Sequence, residues 1–230
     1  MSSTKDITAS LVTYNSGTVT ETCLEHLVRS TQRTLEIVIW DNASKDDTAA
    51  RLAAWRDRAS IVLSEKNLGF GQGHNAALAA ATGRYFLILN PDIELPAGAL
   101  DQLAAYLDDH PECGAVSPLL AEGSGVCGFA LRYPGDRYAG KSFAGLPGRY
   151  AVLQGACLLV RADVYRAING FSPEFFLYAE DLDISLSIRK KGFSLHCLEN
   201  LTVPHIGGHS ERSFTARHVV ANKQLVLMLF

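Results

Sequence analysis

Short hydrophobic runs alternate with longer stretches of helical periodicity through the first 120 residues of the chain. The runs are rich in β-branched and aromatic residues, which favours strands, and the stretches between them repeat apolar residues every three or four positions, which favours helices. Alternation at roughly 25-residue spacing is typical of βαβ units, and predicts a mainly parallel sheet with helices on both faces. Strands are predicted at ITASLVTYN, LEIVIWD, SIVLSE, YFLILN and CGAVSPLL, and helices at VTETCLEHLVRST, DDTAARLAAWRDR, GHNAALAAATG and AGALDQLAAYLDDH.

Residues 121–150 interrupt this alternation, because their glycine, proline, arginine and aromatic residues follow no period. A loop of this length in a compact domain is usually functional or mobile. Regular patterns return with a strand and short helix in AVLQGACLLVRADVYRAING, a helix in EDLDISLSIRKKG and a strand in FSLHCLEN. The final HVVANKQLVLMLF predicts an apolar-faced helix, which indicates either a chain that continues further or a surface that contacts a membrane or a partner.

Composition narrows the class of protein. The chain has 230 residues, 47% of them hydrophobic and 20% charged, with a net charge of -3, so it has the size and balance of a globular domain and no general reason to bind nucleic acid. Five scattered cysteines form no C-x-x-C pair, which favours reduced thiols. No secretory signal precedes the first strand, and no uncharged apolar run reaches the roughly 20 residues of a membrane span. These features predict a soluble intracellular protein.

Polar side chains follow the predicted strands of the first half. The first strand ends in Thr13-Tyr14-Asn15, the second in Asp41-Asn42 and the fourth in Asn90-Pro91-Asp92. The third leads into the glycine-rich NLGFGQGHN, Asn67 to Asn75. Each segment alone is consistent with a turn. Ligands of parallel sheets bind beyond the carboxyl ends of the strands, so the four together favour a binding crevice.

Within this crevice, Asp92 is a candidate metal ligand. A carboxylate at a sheet edge is a suitable hard oxygen ligand for Mg²⁺ or Mn²⁺ that carries a diphosphate, and Asn90 adds a neutral oxygen or a hydrogen bond. The glycine-rich segment allows close approach of backbone to a ligand. It matches neither standard phosphate-binding motif, however, and a flexible connection explains it equally well.

A second acidic cluster opens the helix predicted in EDLDISLSIRKKG. Acids at its start (Glu180, Asp181, Asp183) and bases at its end, including Arg189, complement the helix dipole, which alone explains Glu180 and Asp183. For Asp181 we favour catalysis, because the aromatic lead-in FSPEFFLY disfavours the charged form and raises the carboxyl pKa toward that of a general base.

Two histidines in VPHIGGHSE offer a further ligand. His209 follows two glycines and reads as a solvated loop residue. His205 directly follows Pro204 at a strand end, and is therefore the better candidate for metal binding.

Taken together, these segments resemble the inverting glycosyltransferases of family 2, which have the GT-A (nucleotide-diphosphosugar transferase) fold, and in particular the rhamnosyltransferase-type members that act on bacterial surface polysaccharides. The resemblance extends from about Ile7 to Ser210. It rests on the ordered set VTYNS, IVIWDNASKDDT, EKNLGFGQGHN, LILNPDIEL, GACLLVRADVY, GFSPEFFLYAEDLDISLSIRKKGF and VPHIGGHS.

The resemblance implies roles for individual residues. Asn90-Pro91-Asp92 stands where the family has its D-x-D metal motif, with Asn in place of the first Asp, and His205 completes the metal shell. Asp181 falls at the position of the catalytic base, with Glu180 beside it. The implied substrate-binding residues are Thr13, Tyr14, Asn15 and Asp41 for the nucleoside, Asn67, Gly73 and Asn90 for the nucleotide sugar, and Gln154 and Gly155 for the acceptor.

The resemblance also implies a single GT-A domain over 1–230. Its nucleotide-sugar-binding half is 1–120, its acceptor-binding and catalytic half 121–210, and its C-terminal helix 211–230. The implied enzyme needs Mg²⁺ or Mn²⁺. It moves a sugar such as rhamnose from a nucleoside-diphosphate sugar to a glycan or lipid-linked acceptor, in the cytoplasm or at the inner face of the membrane, which the C-terminal helix contacts.

Two other classes of protein share parts of this pattern. A sugar nucleotidyltransferase has a similar sheet and metal, but usually a basic glycine-rich loop near its N-terminus, whereas VTYNSGTVTE has neither Lys nor Arg. A non-catalytic nucleotide-sugar-binding domain needs neither a base nor a metal.

Overall fold

The computed structural model describes residues 5–121, 127–128, 131–132 and 146–206. A 3₁₀ turn over Ala53–Trp55 extends the second helix. The strands are β1 Ile7–Thr13, β2 Leu35–Asp41, β3 Ser60–Leu63, β4 Tyr85–Leu89, β5 Cys113–Ala121, β6 Cys127–Gly128, β7 Leu131–Arg132, β8 Tyr150–Val152, β9 Cys157–Arg161 and β10 Ser194–Pro204, and the helices are α1 Gly17–Arg29, α2 Thr48–Leu52, α3 Phe70–Leu78, α4 Ala99–Asp109, α5 Ala162–Ala167 and α6 Glu180–Lys190.

The central sheet has the strand order β10-β5-β9-β4-β1-β2-β3, with β6 added beside β5. The pairs β1–β2, β1–β4, β2–β3 and β5–β10 are parallel, which confirms the predicted mainly parallel sheet. Strand β9 runs antiparallel between β4 and β5. Its first residue therefore lies beside the last residue of β4, in the pair Leu89–Cys157.

Strand β4 shows why the sheet is covered on both faces. Its five residues are all fully buried, and they divide between two hydrophobic cores. Tyr85, Leu87 and Leu89 join the core under α1, α2 and α4, whereas Phe86 and Ile88 join the core under α5 and α6, against which α3 also packs. A continuous apolar run is the pattern expected of a strand in such a three-layer arrangement.

Two local predictions about helix starts were wrong. The segment SKDD, Ser44 to Asp47, resembles a capping box in the sequence, but α2 begins only at Thr48, and Ser44 Oγ donates to Asp41 instead. The Thr48 amide, at the start of the helix, donates to Asp46 Oδ1 at 3.0 Å. Helix α3 begins at Phe70 rather than near Gly73, and ends at Leu78. The earlier start follows from Gly69, whose φ of 85° turns the chain directly into the helix.

Some predictions fall on residues that the structure does not describe. His209, the C-terminal helix over 211–230 and most of residues 121–150 lie outside the described ranges. No helix within those ranges is long and apolar enough to cross a bilayer. The four cysteines whose side chains are described are buried free thiols.

Candidate active site

The carboxyl ends of β1 and β2 meet at one edge of the sheet, where Thr13 pairs with Asp41. Thr13 Oγ1 donates a hydrogen bond of 2.9 Å to Asp41 Oδ1, and the Ser44 amide donates one of 3.0 Å to Asp41 Oδ2. Asp41 is only 2% exposed. In this structure its carboxylate holds two strand-end loops together, and its contact with a nucleoside remains a prediction.

The loop after β1 carries Tyr14 and Asn15. Asn15 has a φ of 50°, and its side chain accepts a 2.7 Å hydrogen bond from the Lys45 amide, which joins this loop to the one after β2. Tyr14 is among the most exposed large hydrophobic residues, at 41%. An exposed aromatic face at the strand-end edge suits stacking on a nucleobase, the position at which the sequence predicts nucleoside binding.

Asn42 shapes the glycine-rich loop, a role that sequence reasoning missed. Its Oδ1 accepts from the Leu68 amide at 3.1 Å, and its Nδ2 donates to the Gly69 carbonyl at 3.0 Å. Asn67 Oδ1 accepts from the Gly69 amide at 2.8 Å, so this predicted substrate-binding side chain also forms part of the loop itself. The feature of the sequence that could have indicated this role is a second polar residue directly after Asp41.

The glycines of this loop are required by packing within the protein. A Cβ at Gly69 would clash with the Phe176 carbonyl oxygen, one at Gly71 would lie 2.7 Å from the Phe171 side chain, and one at Gly73 would lie 2.8 Å from Val12. The loop is therefore docked against the segment that leads to α6. Gly73 has a structural reason to be glycine, and its predicted contact with the nucleotide sugar remains a prediction.

Gly69→Ala should destabilise the fold by about 3 kcal/mol, because the backbone at φ 85° and ψ 176° is essentially restricted to glycine and the added methyl group meets Phe176. Gly98→Ala is the matched control. Gly98 has a φ of 74° with nothing within 4 Å of an added Cβ. The only expected cost is therefore the roughly 1 kcal/mol of holding alanine in a left-handed backbone conformation. Urea unfolding measures both, and equal losses would contradict the docking described above.

The Asn90-Pro91-Asp92 turn is held from both sides. The Asn90 amide donates to the Ala156 carbonyl at 2.8 Å, immediately before β9, and the Ile206 amide donates to the Asp92 carbonyl at 3.1 Å, immediately after β10. The Cys23 thiol donates to the Asn90 carbonyl at 3.4 Å from α1 below. These contacts fix where the Asp92 side chain can lie.

Asp92 and His205 lie side by side, although Asp92 follows β4 and His205 follows β10, far apart in the chain. Asp92 Oδ1 is 3.3 Å from His205 Nε2, and both side chains are about 90% buried, with 9% and 10% of their surfaces exposed. The sequence predicts these two residues as metal ligands, and the structure brings them together.

The pair fits a divalent metal ion. Carboxylate oxygen and imidazole nitrogen are both acceptable ligands of Mn²⁺, and 3.3 Å is close to the roughly 3 Å between adjacent ligands on one ion with bonds of about 2.1 Å. No group of three or more His, Cys, Asp or Glu residues is placed to hold an ion within the part of the chain that is described. Asp92 and His205 therefore offer two protein ligands for such an ion.

Helix α6 begins with the predicted catalytic pair. Tyr178 and Ala179, just before it, have φ values of 69° and 71°, a left-handed conformation that costs free energy for residues other than glycine and that is concentrated at functional sites. The Leu182 amide donates to Asp181 Oδ1 at 2.9 Å. Burial raises the pKa of Asp181 above its usual range, as predicted for a general base. Burial, reinforced by the charge of Asp181, raises the pKa of Glu180 to about 8.

Residues 154–156 connect the two acidic sites. Ala156 is bonded to Asn90, as described above, and a Cβ at Gly155 would lie 3.4 Å from the Asp181 Cβ. The Leu153 amide donates to Ser185 Oγ at 3.2 Å, one turn further along α6. The predicted acceptor-binding residues Gln154 and Gly155 thus lie between the metal-site turn and the predicted base.

Two further anchors were missed or misread in the sequence. Asn75 bonds both the amide and the carbonyl of Phe171, at 2.9 and 2.8 Å, which ties α3 to the segment before α6. Arg189, predicted only as a base near the helix C-terminus, is 1% exposed and donates to the carbonyls of Pro147 and Leu146. Nothing in the sequence near Asn75 or Arg189 indicates these contacts with distant segments.

A family model described as "Glycosyl transferase family 2" matches residues 9–167, more than half of the chain. The chain belongs to glycosyl transferase family 2. A curated relative in Mycobacterium tuberculosis, N-acetylglucosaminyl-diphospho-decaprenol L-rhamnosyltransferase, is 25% identical over 92% of this chain and 79% of its own length. Another, the O-antigen biosynthesis protein RfbC of Myxococcus xanthus, is 24% identical over 77% of this chain and 15% of its own length.

Solved structures confirm the fold of this family 2 glycosyltransferase. The mannosyltransferase PcManGT from Pyrobaculum calidifontis, solved with GDP-Man and Mn²⁺, superposes with a TM-score of 0.70 at 19% identity, over 99% of this chain and 65% of the other. S. aureus TarS 1-349 gives 0.70 at 19% identity, over 87% and 60%. The chain thus spans less than two thirds of these solved chains. The predicted α/β GT-A class is confirmed.

Proposed function

We propose that this glycosyltransferase acts with inversion, and moves a sugar from a nucleoside-diphosphate sugar to a hydroxyl group of a glycan or lipid-linked glycan. The observation that carries the proposal is the link through residues 154–156. It joins the Asn90–Asp92 turn, through the Ala156 carbonyl, to the base candidate Asp181, through Gly155. The turn proposed to bind the diphosphate and the residue proposed to remove the proton are therefore linked by one short segment.

Asp181 acts as the general base in this proposal. Its raised pKa brings the carboxylate closer in basicity to the acceptor hydroxyl, and the Leu182 amide orients it. Asp181 accepts the hydroxyl proton while the acceptor oxygen attacks the anomeric carbon from the face opposite the leaving nucleotide. One displacement inverts the configuration at that carbon, and no covalent enzyme intermediate forms.

Asp92 and His205 would hold Mg²⁺ or Mn²⁺. A divalent ion there supplies Lewis-acid neutralisation of the charge that develops on the departing diphosphate. Asn90, with its backbone fixed by Ala156, lies beside this site and is proposed to contact the nucleotide. The proposed nucleoside contacts are Thr13, Tyr14, Asn15 and Asp41, the proposed nucleotide-sugar contacts are Asn67, Gly73 and Asn90, and the proposed acceptor contacts are Gln154 and Gly155.

The M. tuberculosis relative supports rhamnose as the sugar and a lipid-linked N-acetylglucosamine as the acceptor, since its name specifies both and the alignment covers 92% of this chain. PcManGT was solved with Mn²⁺ and a nucleotide sugar, which supports the choice of metal and the class of donor. A lipid-linked acceptor would place the reaction at the inner face of the membrane, with the protein on its cytoplasmic side.

The test is incubation with Mn²⁺ and a panel of donors: thymidine- and uridine-diphosphate L-rhamnose, UDP-N-acetylglucosamine and GDP-mannose. We expect slow release of nucleoside diphosphate from one donor, since water replaces the missing acceptor, and faster release when lipid-linked N-acetylglucosaminyl diphosphate is added. A nucleotidyltransferase would instead form pyrophosphate from a nucleoside triphosphate and a sugar phosphate. A binding domain would release nothing, and either result would overturn the proposed function.

A further inference from the structure

Glu180 is a buried carboxyl group that the reaction proposed above does not use. It is the first residue of α6 and is 8% exposed. Its Oε2 atom is buried and has no hydrogen-bond partner among the described residues. A charged carboxylate in that position would be costly, since the group is buried, its Oε2 atom has no donor among the described residues, and the next residue is the acidic Asp181.

We propose that Glu180 is held as a neutral carboxylic acid whose O–H donates a hydrogen bond to a hydroxyl oxygen of the sugar beside Asp181, a role that rests on the proposed glycosyl transfer. The protonation state follows from the surroundings. Burial is the main reason that the pKa of Glu180 rises to about 8, and the negative charge of Asp181 adds to the rise. Among the described residues, Asp181 is the charged side chain that acts on Glu180, whereas Asp183 on the same helix interacts with Glu174 and Lys190.

A second observation points to a ligand at this place. Gln154 Oε1 is also buried without a hydrogen-bond partner among the described residues, and the backbone amide of its neighbour Gly155 donates a hydrogen bond to Asp181. The two oxygens belong to residues on either side of this contact, since Glu180 directly precedes Asp181 and Gln154 directly precedes Gly155 in the chain. Sugar hydroxyls both donate and accept hydrogen bonds, so they suit an acid that must donate and an amide oxygen that must accept. The ligand class is therefore a sugar with hydroxyl groups near the reacting centre, supplied by either the donor or the acceptor.

Thermal unfolding between pH 5 and pH 9 tests the protonation state without any substrate. A carboxyl pKa raised from 4.5 to about 8 stabilises the fold fully below pH 4.5, and this contribution is lost as the pH rises toward 8. Glu180→Gln has no such titration. Between pH 5 and pH 8, the Tm of the parent should therefore fall relative to that of Glu180→Gln by roughly 5 °C or more. Glu174→Gln, the same change at an exposed position, should follow the parent.

Nucleoside-diphosphate release from a nucleoside-diphosphate L-rhamnose tests the hydrogen bond. Glu180→Ala should lower turnover at least about 10-fold, and Glu180→Gln should recover part of this loss because its amide N–H also donates. Parent activity should fall above about pH 8, as a second charge forms beside Asp181, and Glu180→Gln should lack this decline. A loss seen without acceptor assigns the bond to the donor sugar. A raised acceptor KM alone assigns it to the acceptor.

The outcomes separate this inference from the proposed function. If the Tm values of the parent and Glu180→Gln changed with pH in parallel, the proposal of a neutral acid would be overturned, whatever the activity. A Glu180→Gln variant as defective as Glu180→Ala, with the alkaline decline intact, would overturn the hydrogen bond. If the parent releases nucleoside diphosphate from no donor, the proposed function fails instead, and the unfolding curves still decide the state of Glu180.

Discussion

Asp181→Asn should lower turnover at least about 100-fold, the lower end of what a positioned general base contributes. The amide is nearly isosteric, and the Leu182 amide can still bond the side-chain oxygen, so the fold and donor binding should persist. Initial rates of nucleoside-diphosphate release measure the loss. Thermal shift with nucleoside diphosphate and Mn²⁺ measures binding, because a ligand stabilises the fold that it binds.

The pH dependence of the parent enzyme's activity also tests whether Asp181 is the base. A base works only when deprotonated, and burial raises the pKa of Asp181, so activity should rise with pH through a value above the ordinary aspartate pKa of 3.8. Asp183→Asn is the control within the same helical turn, and should leave turnover unchanged. If Asp181→Asn and Asp183→Asn show equal and mild losses, the acids of α6 serve the helix dipole and Asp181 is not the base.

Asp92→Ala should abolish metal-dependent binding of nucleoside diphosphate while the protein stays folded. The backbone of this turn is held by Ala156 and Ile206, whose hydrogen bonds do not involve the Asp92 side chain. Without the carboxylate, His205 is the one remaining member of the pair, and a neutral imidazole alone is a weak ligand for Mn²⁺. Thermal shift by nucleoside diphosphate, with and without Mn²⁺, measures the effect, and circular dichroism checks the fold.

Two comparisons sharpen this result. Glu94→Ala removes an acid two residues further along the same segment, and should leave the Mn²⁺ response intact. His205→Ala should raise the Mn²⁺ concentration needed for half-maximal activity, and His209→Ala should raise it less. Unchanged metal dependence in Asp92→Ala would mean that Asn90-Pro91-Asp92 is only a turn. A parental Mn²⁺ titration in His205→Ala would leave Asp92 and the diphosphate as the ligands.

Local patterns in the sequence predict most of the elements. The run at Tyr85–Leu89 is buried on both sides, and the proline after it ends the strand where expected. Parallel strands bring their carboxyl ends to one edge, so the positions of Thr13, Asp41 and Asp92 follow from strand boundaries alone. The choice of Asp181 as the candidate base was also possible from the sequence, because the acid and the aromatic segment before it lie within a few residues of each other.

Details that depend on contacts between residues far apart in the chain could not be predicted from the sequence. The sequence predicts a strand within AVLQGACLLVRADVYRAING, but only the pairing of β9 with β4 and β5 shows that it runs antiparallel. This direction places Cys157 beside Leu89 and Ala156 beside Asn90. The glycine-rich loop looked suited to a ligand, whereas its glycines accommodate Phe171, Phe176 and Val12. Close packing of this kind leaves no mark near the glycines in the chain.

The sequence by itself therefore determined the order of most strands and helices along the chain, the edge at which the site lies and the kinds of side chain found there, because these depend on residues close together in the chain. The tertiary structure decided which of those side chains meet. It set Asp92 against His205, and it gave Glu180 and Asp181, neighbours with similar chemistry, different surroundings. Burial and charge at a given carboxyl group depend on every segment folded around it, and a one-dimensional pattern does not contain them.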